Sequence, residues 1–105
     1  MRVTISHNRT KQEIIAKVDR SFDELFQGAS DLPVKVVVNQ RNWQGDVLTF
    51  ALTAKLALIS TPIKGTVEVT DRDVTVDADL GLLNRFISED TARTVLTDRV
   101  KGLLK

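Results

Sequence analysis

The sequence predicts an α+β fold, in which one curved antiparallel sheet carries its helices on a single side. Three observations predict it. An amphipathic helical stretch near the N-terminus is followed by segments with apolar residues at every second position. The connections between those segments are short, which suits antiparallel neighbours. The last quarter then returns to helical spacing. The expected order is β-α-β-β-β-β-α, a single α+β domain over residues 1–105, since a chain of 105 residues matches one domain. Each strand has one apolar face and each helix one apolar stripe, and stacking the helices on the concave side of the sheet buries both.

The elements follow in order. Arg2–Ser6 places Val3 and Ile5 on one side and Thr4 and Ser6 on the other, the signature of a short strand. After the polar break at His7, Asn8 and Arg9, Thr10 opens a helix, with Glu13 three residues on to complete a capping box. Ile15, Val18, Phe22, Leu25 and Ala29 form its apolar stripe, widened by Ile14 and Phe26. Gly28 is the expected C-cap, and residues 30–33 a loop ending in Pro33. Val34, Val36 and Val38 alternate as a strand. Residues 42–46 are expected to turn, and 47–53 to alternate again, with Leu48, Phe50 and Leu52 on one face. Residues 55–60 fit either a continuation of that strand or its loop. Thr61 and Pro62 punctuate before a strand carrying Ile63, Gly65, Val67 and Val69, and the turn at residues 71–73 leads to Val74, Val76, Ala78 and Leu80. Leu82, Leu83, Phe86 and Ile87 form a short helical cluster. Ser88 caps a longer helix with Ala92, Val95, Leu96, Val100, Leu103 and Leu104 on its apolar side. The expected core is Ile15, Val18, Phe22, Leu25, Val36, Leu48, Phe50, Val67, Val69, Val76 and Leu96.

Composition narrows the function classes. With no cysteine, disulfides, thiolate nucleophiles and zinc-finger or iron–sulfur ligation are excluded. The longest apolar run, residues 56–59, is four residues, so no transmembrane segment is expected. No apolar signal core opens the chain, and a cytoplasmic location is the expectation. Fifteen basic against 14 acidic residues give a net charge of +1, no electrostatic case for nucleic acid. His7, the single histidine, has no identifiable nucleophile or orienting acid. Asp71, Asp73, Asp77 and Asp79 lack the spacing of a calcium loop, and the alternation puts Asp77 and Asp79 on the solvated strand face. Neither Gly45 nor Gly65 belongs to a phosphate loop. No catalytic, cofactor-binding or metal-ligating set is therefore assigned, and no enzyme activity is expected. Two features point elsewhere. Trp43 beside a turn is either a lid on the core or an anchor for an apolar surface. The last helix, with Leu96, Val100, Leu103 and Leu104 flanked by Arg99, Lys101 and Lys105, packs on the sheet or lies at an amphiphilic boundary. Trp43, Val100, Leu103 and Leu104 are the candidate apolar-surface contacts.

Several runs resemble a family. Trp43, Gly45, Asp46, Leu48 and Phe50 fit its W-x-G-D-x-L-x-F run, and Ile63, Gly65, Val67 and Val69 its I-x-G-x-[IV]-x-V strand. Asp79, Leu80 and Leu83 fit its D-L-P-x-x-L approach to the last helix, except that Gly81 stands where the family has proline. The opening strand ending in Ser6 and His7, the helix with Phe22 and Leu25, and the basic last helix complete a match over nearly the whole chain. The sequence thus resembles the polyhydroxyalkanoic acid system, or polyhydroxyalkanoate granule-region, proteins. The resemblance implies a polyester-storage context and carries over no catalytic residues. The element order also resembles a shortened START-like helix-grip fold, whose larger members hold apolar ligands between sheet and helix; this is an analogy of fold. The expected function is a non-enzymatic domain binding an apolar small molecule or the surface of a polyester granule. The alternative is a small homodimeric interaction module.

Overall fold

A computed structural model describes residues 1–26, 35–56, 58–85 and 87–104. The expected cap at Gly28, Ala29, the loop at 30–33, Val34, Phe86 and Lys105 lie outside the described residues, as do the side chains of Leu25, Phe26 and Leu83.

The chain builds β1 (Arg2–Ser6), α1 (Lys11–Phe26), β2 (Lys35–Gln44), β3 (Val47–Leu56), β4 (Ile59–Val69), β5 (Asp73–Asp79), a 3-10 turn (Gly81–Arg85) and α2 (Glu89–Leu104). The five strands form one antiparallel sheet in the order β1-β5-β4-β3-β2, so the predicted α+β architecture is the observed one. β2 to β5 are a meander, and β1 closes it by pairing along β5.

The core lies between the sheet and the two helices. Leu48, Phe50 and Leu52 of β3, Ile63, Val67 and Val69 of β4, and Val74, Val76 and Ala78 of β5 meet Ile14, Val18 and Phe22 of α1 and Leu96 and Val100 of α2. The helix stripe is rotated slightly from its expected centre: Ile14 is fully buried and Ile15 only half-buried. Both caps are made. Thr10 Oγ1 accepts the Glu13 N–H at 3.2 Å, and Ser88 Oγ accepts the Thr91 N–H at 3.1 Å. The Glu13 carboxylate pairs with Arg9 at 3.5 Å, so that side chain serves an exposed ion pair.

Phe50 and Gly65 are direct cross-strand partners. A Cβ at residue 65 would fall 2.6 Å from Phe50 Cζ and onto the Asp77 carbonyl oxygen of β5. The Phe50 ring fits because that atom is missing, and it meets Phe22 edge-on with centroids 5.4 Å apart. On the other side of Phe22 the Arg41 guanidinium lies 5.7 Å from its centroid.

Arg41 reaches this face through a β-bulge. The β2–β3 register shifts between Val38 and Gln40, which inserts Asn39 and changes the parity of the strand. Val36 and Val38 before the bulge, and Arg41 and Trp43 after it, therefore sit opposite Ala54, Leu52, Phe50 and Leu48. The strand runs on through Trp43, so the turn expected over 42–46 contracts to Gly45 and Asp46, with Gly45 at φ 61°.

The ambiguous segment 55–60 is a second tight hairpin, with β3 running to Leu56 and β4 starting at Ile59. Pro62 lies within β4. The last β5 partner is Asp79, opposite Lys64, so β4 is a sheet edge at Pro62, where a residue without an N–H is tolerated. Gly81 has φ 56°, which a proline ring cannot adopt, so this chain leaves β5 by a path closed to the family's usual residue. Asp79 Oδ1 accepts the Gly81 N–H at 3.0 Å, and the buried Thr61 hydroxyl accepts the Leu82 N–H at 3.1 Å.

Lengths then decide the shape. A 16-residue helix spans about 24 Å, whereas β3 and β4, of 10 and 11 residues, span roughly 33–36 Å. The three-stranded arm β2-β3-β4 outreaches both β5 and α1, and the molecule extends 41 × 24 × 19 Å. Two substitutions test the packing by chemical denaturation. Phe22→Ala is expected to lose about 3–5 kcal/mol as a fully buried aromatic, and Gly65→Ala about 1–3 kcal/mol by overpacking against Phe50. A loss below about 0.5 kcal/mol, typical of an exposed position, would contradict the described contact.

Candidate functional site

The W-x-G-D run joins α1 to the β2–β3 hairpin. Trp43 Nε1 donates to Asp19 Oδ1 at 3.0 Å, and Lys11 Nζ donates to Asp46 Oδ2 at 3.0 Å. Gly45 allows the tight reversal between them, and the Asp46 carbonyl accepts the Val69 N–H from β4 at 3.0 Å. Trp43 is half-buried against the core, so its indole is both lid and clamp.

His7 has a comparable role. Its Nδ1 accepts the Arg9 N–H at 3.1 Å, which leaves Nε2 to donate to the Thr70 carbonyl at 2.8 Å. The ring ties the end of β1 to the β4–β5 turn. Three of the four aspartates are also engaged. Asp77 pairs with Arg2 at 3.3 Å, Asp73 accepts from Ser6 Oγ at 3.2 Å, and Asp79 holds the Gly81 N–H. Asp71 is exposed, and no group of three or more acidic or histidine side chains among the described residues is placed to hold a metal ion.

The last helix spends its stripe on the fold. Val100 is 1% exposed, which removes it from any surface contact while α2 is docked. Leu103 and Leu104 are half-buried against the core, and the Leu104 carbonyl accepts from Arg9 Nε at 3.3 Å. Deleting residues 101–105 is therefore expected to destabilise the domain.

The exposed large apolar side chains among the described residues lie elsewhere. Leu58, at the β3–β4 turn, is 101% exposed, with Ile59 beside it at 36%. Leu82 at 46% follows the Thr61 contact, and Val37 at 38% projects from the same end of β2. Leu58 and Ile59 form the tip of the arm, while Val37 lies further back on β2 opposite Thr53 and Leu82 belongs to the 3-10 turn after β5. Sequence reasoning missed this tip, although the run at 56–59 is the longest apolar stretch in the chain. Its polar border is cationic: Lys35 and Lys55, both exposed, stand behind it as partners in the β2–β3 register.

A small α+β domain with a buried apolar core between sheet and helices, and Leu58 and Ile59 exposed at one hairpin tip, is the class that fold and surface define. The chain belongs to the family of polyhydroxyalkanoic acid system proteins, whose pattern matches residues 1–100. No curated protein and no solved structure matches it. Among the described residues, no helix is long and apolar enough to cross a membrane.

The Lys11–Asp46 clamp has a pH signature. The hydrogen bond from Lys11 to Asp46, and then the charge of that carboxylate, raise the lysine above its ordinary value. A cation whose folded pKa exceeds its unfolded one contributes fully below the unfolded value, about 10.4. That contribution is lost as pH rises through the folded value. Stability is expected to fall above about pH 10.4, and Asp46→Asn to flatten that part of the profile, as measured by thermal melting across alkaline pH. An unchanged slope in the variant would contradict the clamp.

Proposed function

We propose that this protein is a non-catalytic cytoplasmic domain that adsorbs on an apolar surface, that of a polyester storage granule, through the β3–β4 tip. The observation that carries the reading is Leu58, a leucine wholly in solvent at the end of a supported hairpin, with Ile59 beside it. An isolated exposed leucine is ordinary, but apolar residues collected at one projecting end mark an interaction surface. Family membership supplies the polyester context. Among the described residues, Phe22, Phe50, Ile14, Leu48 and Val67 are all fully buried between sheet and helices, which supports a surface over an enclosed ligand. The engagement of His7, Asp73, Asp77 and Asp79 in structural hydrogen bonds supports a role without catalysis.

The rival is a second copy pairing along the free edge of β2. That edge carries a bulge at Asn39 and the charges of Lys35 and Arg41, features that oppose edge-to-edge pairing.

Co-sedimentation with isolated polyester granules tests the reading. Leu58→Asp is expected to lower adsorption at least about tenfold, the loss of one buried leucine contact. Stability is expected to change by no more than about 0.5 kcal/mol, because the side chain touches little else. Equal sedimentation of the two folded proteins would remove the tip from the contact. Retained self-association without adsorption would favour the β2 edge.

A further inference from the structure

The cationic border of the tip has its own peculiarity. Lys35 of β2 and Lys55 of β3 are direct cross-strand partners on the outer sheet face, both exposed. Their Cβ atoms are thus roughly 5 Å apart. Like charges placed directly opposite each other disfavour the sheet. No hydrogen bond or ion pair from either lysine to a carboxylate occurs among the described residues. The next outer residue across from Lys55 is Ser60, an uncharged neighbour. The fold gains nothing visible from this pair, yet it stands just behind the apolar tip. Lys55 precedes Leu58 by three residues, about 10 Å along a strand, which is within a Debye length of any surface the tip enters. Lysine stems of that reach lie along apolar material while their ammonium groups stay at its boundary.

We propose that the Lys35–Lys55 pair recognises anionic headgroups, so that the surface entered by the tip is an anionic lipid layer rather than bare polyester. The proposal rests on the tip being the apolar contact and adds the charge of what it contacts. An anionic layer relieves the repulsion between the two ammonium groups and accepts Leu58 and Ile59 between its chains. Lys64 supplies an internal comparison. It lies six residues from Leu58, roughly 20 Å away, beyond a Debye length, and sits opposite Asp79 in the β4–β5 register.

The test is flotation with vesicles of phosphatidylcholine alone and vesicles containing phosphatidylglycerol, at low and high salt. The intact protein is expected to prefer the anionic vesicles, and added salt to weaken that binding. Each headgroup-facing lysine lost is worth roughly fivefold, so Lys35→Gln with Lys55→Gln is expected to weaken binding roughly 25-fold. Lys64→Gln is expected to leave it within about twofold, because its charge is screened. Circular dichroism checks that every variant is folded. Equal binding to both vesicle types, an unaffected double variant, or no binding of the intact protein to anionic vesicles would each overturn the proposal. The granule assay separates the two ideas. If Leu58→Asp abolishes granule adsorption while the lysine pair has no effect there or on vesicles, the apolar contact stands and the anionic layer falls. If Leu58→Asp changes neither assay, both fall.

Discussion

Phe50 reaches across to β4 only because residue 65 has no side chain, and the rest of the arrangement is built on that contact. The ring presents its edge to Phe22 and so fixes where α1 crosses the sheet. Once α1 is there, Asp19 meets the Trp43 indole and Lys11 meets Asp46. These polar contacts sit at the rim and add modestly to stability, as exposed pairs do. Their larger effect is on orientation. Two clamps about two helical turns apart hold α1 along the β2–β3 hairpin and leave little freedom to slide. The residues that mark the family in this chain, Trp43, Gly45, Asp46, Phe50 and Gly65, are thus explained by packing and docking.

That assignment shifts attention from the helices to the sheet. The last helix looked able to spare an apolar face, but α2 buries Leu96 and Val100, as α1 buries Ile14, Val18 and Phe22. What remains unspent follows from a mismatch of lengths. Strands of 10 and 11 residues outrun a 16-residue helix, and the excess projects beyond β5 with its turn in solvent. An apolar turn at such a place costs solubility and contributes nothing to the core, which is the physical ground for giving it a partner.

Much of the architecture was legible in the sequence, because period-two and helical spacing are direct consequences of one-sided burial. Thr10 and Ser88 were readable as caps, and Phe22, Leu48, Phe50, Val67 and Val76 as core, on that basis alone. Three things were not readable. The bulge at Asn39 changes strand parity without leaving a compositional mark, so Trp43 looked like part of a turn when it is a strand residue facing α1. Gly81 showed only as a departure from the family's proline, and its left-handed backbone became visible in the fold. The tip was hidden for a different reason. Lys55, Leu56 and Leu58 alternate as they would in a half-buried strand, and periodicity says which residues share a face without saying where the covering layer stops.

The absence of cysteine makes the central claim directly measurable. Leu58→Cys, labelled with a polarity-sensitive fluorophore, places a single reporter at the tip, and Asn42→Cys places one on the outer face of β2 near the opposite end. With polyester granules added, the account predicts a blue-shifted, brighter emission from position 58 and an unchanged spectrum from position 42. A shift at 42 with none at 58, under conditions where the protein adsorbs, would show that another face makes the contact and would contradict the account.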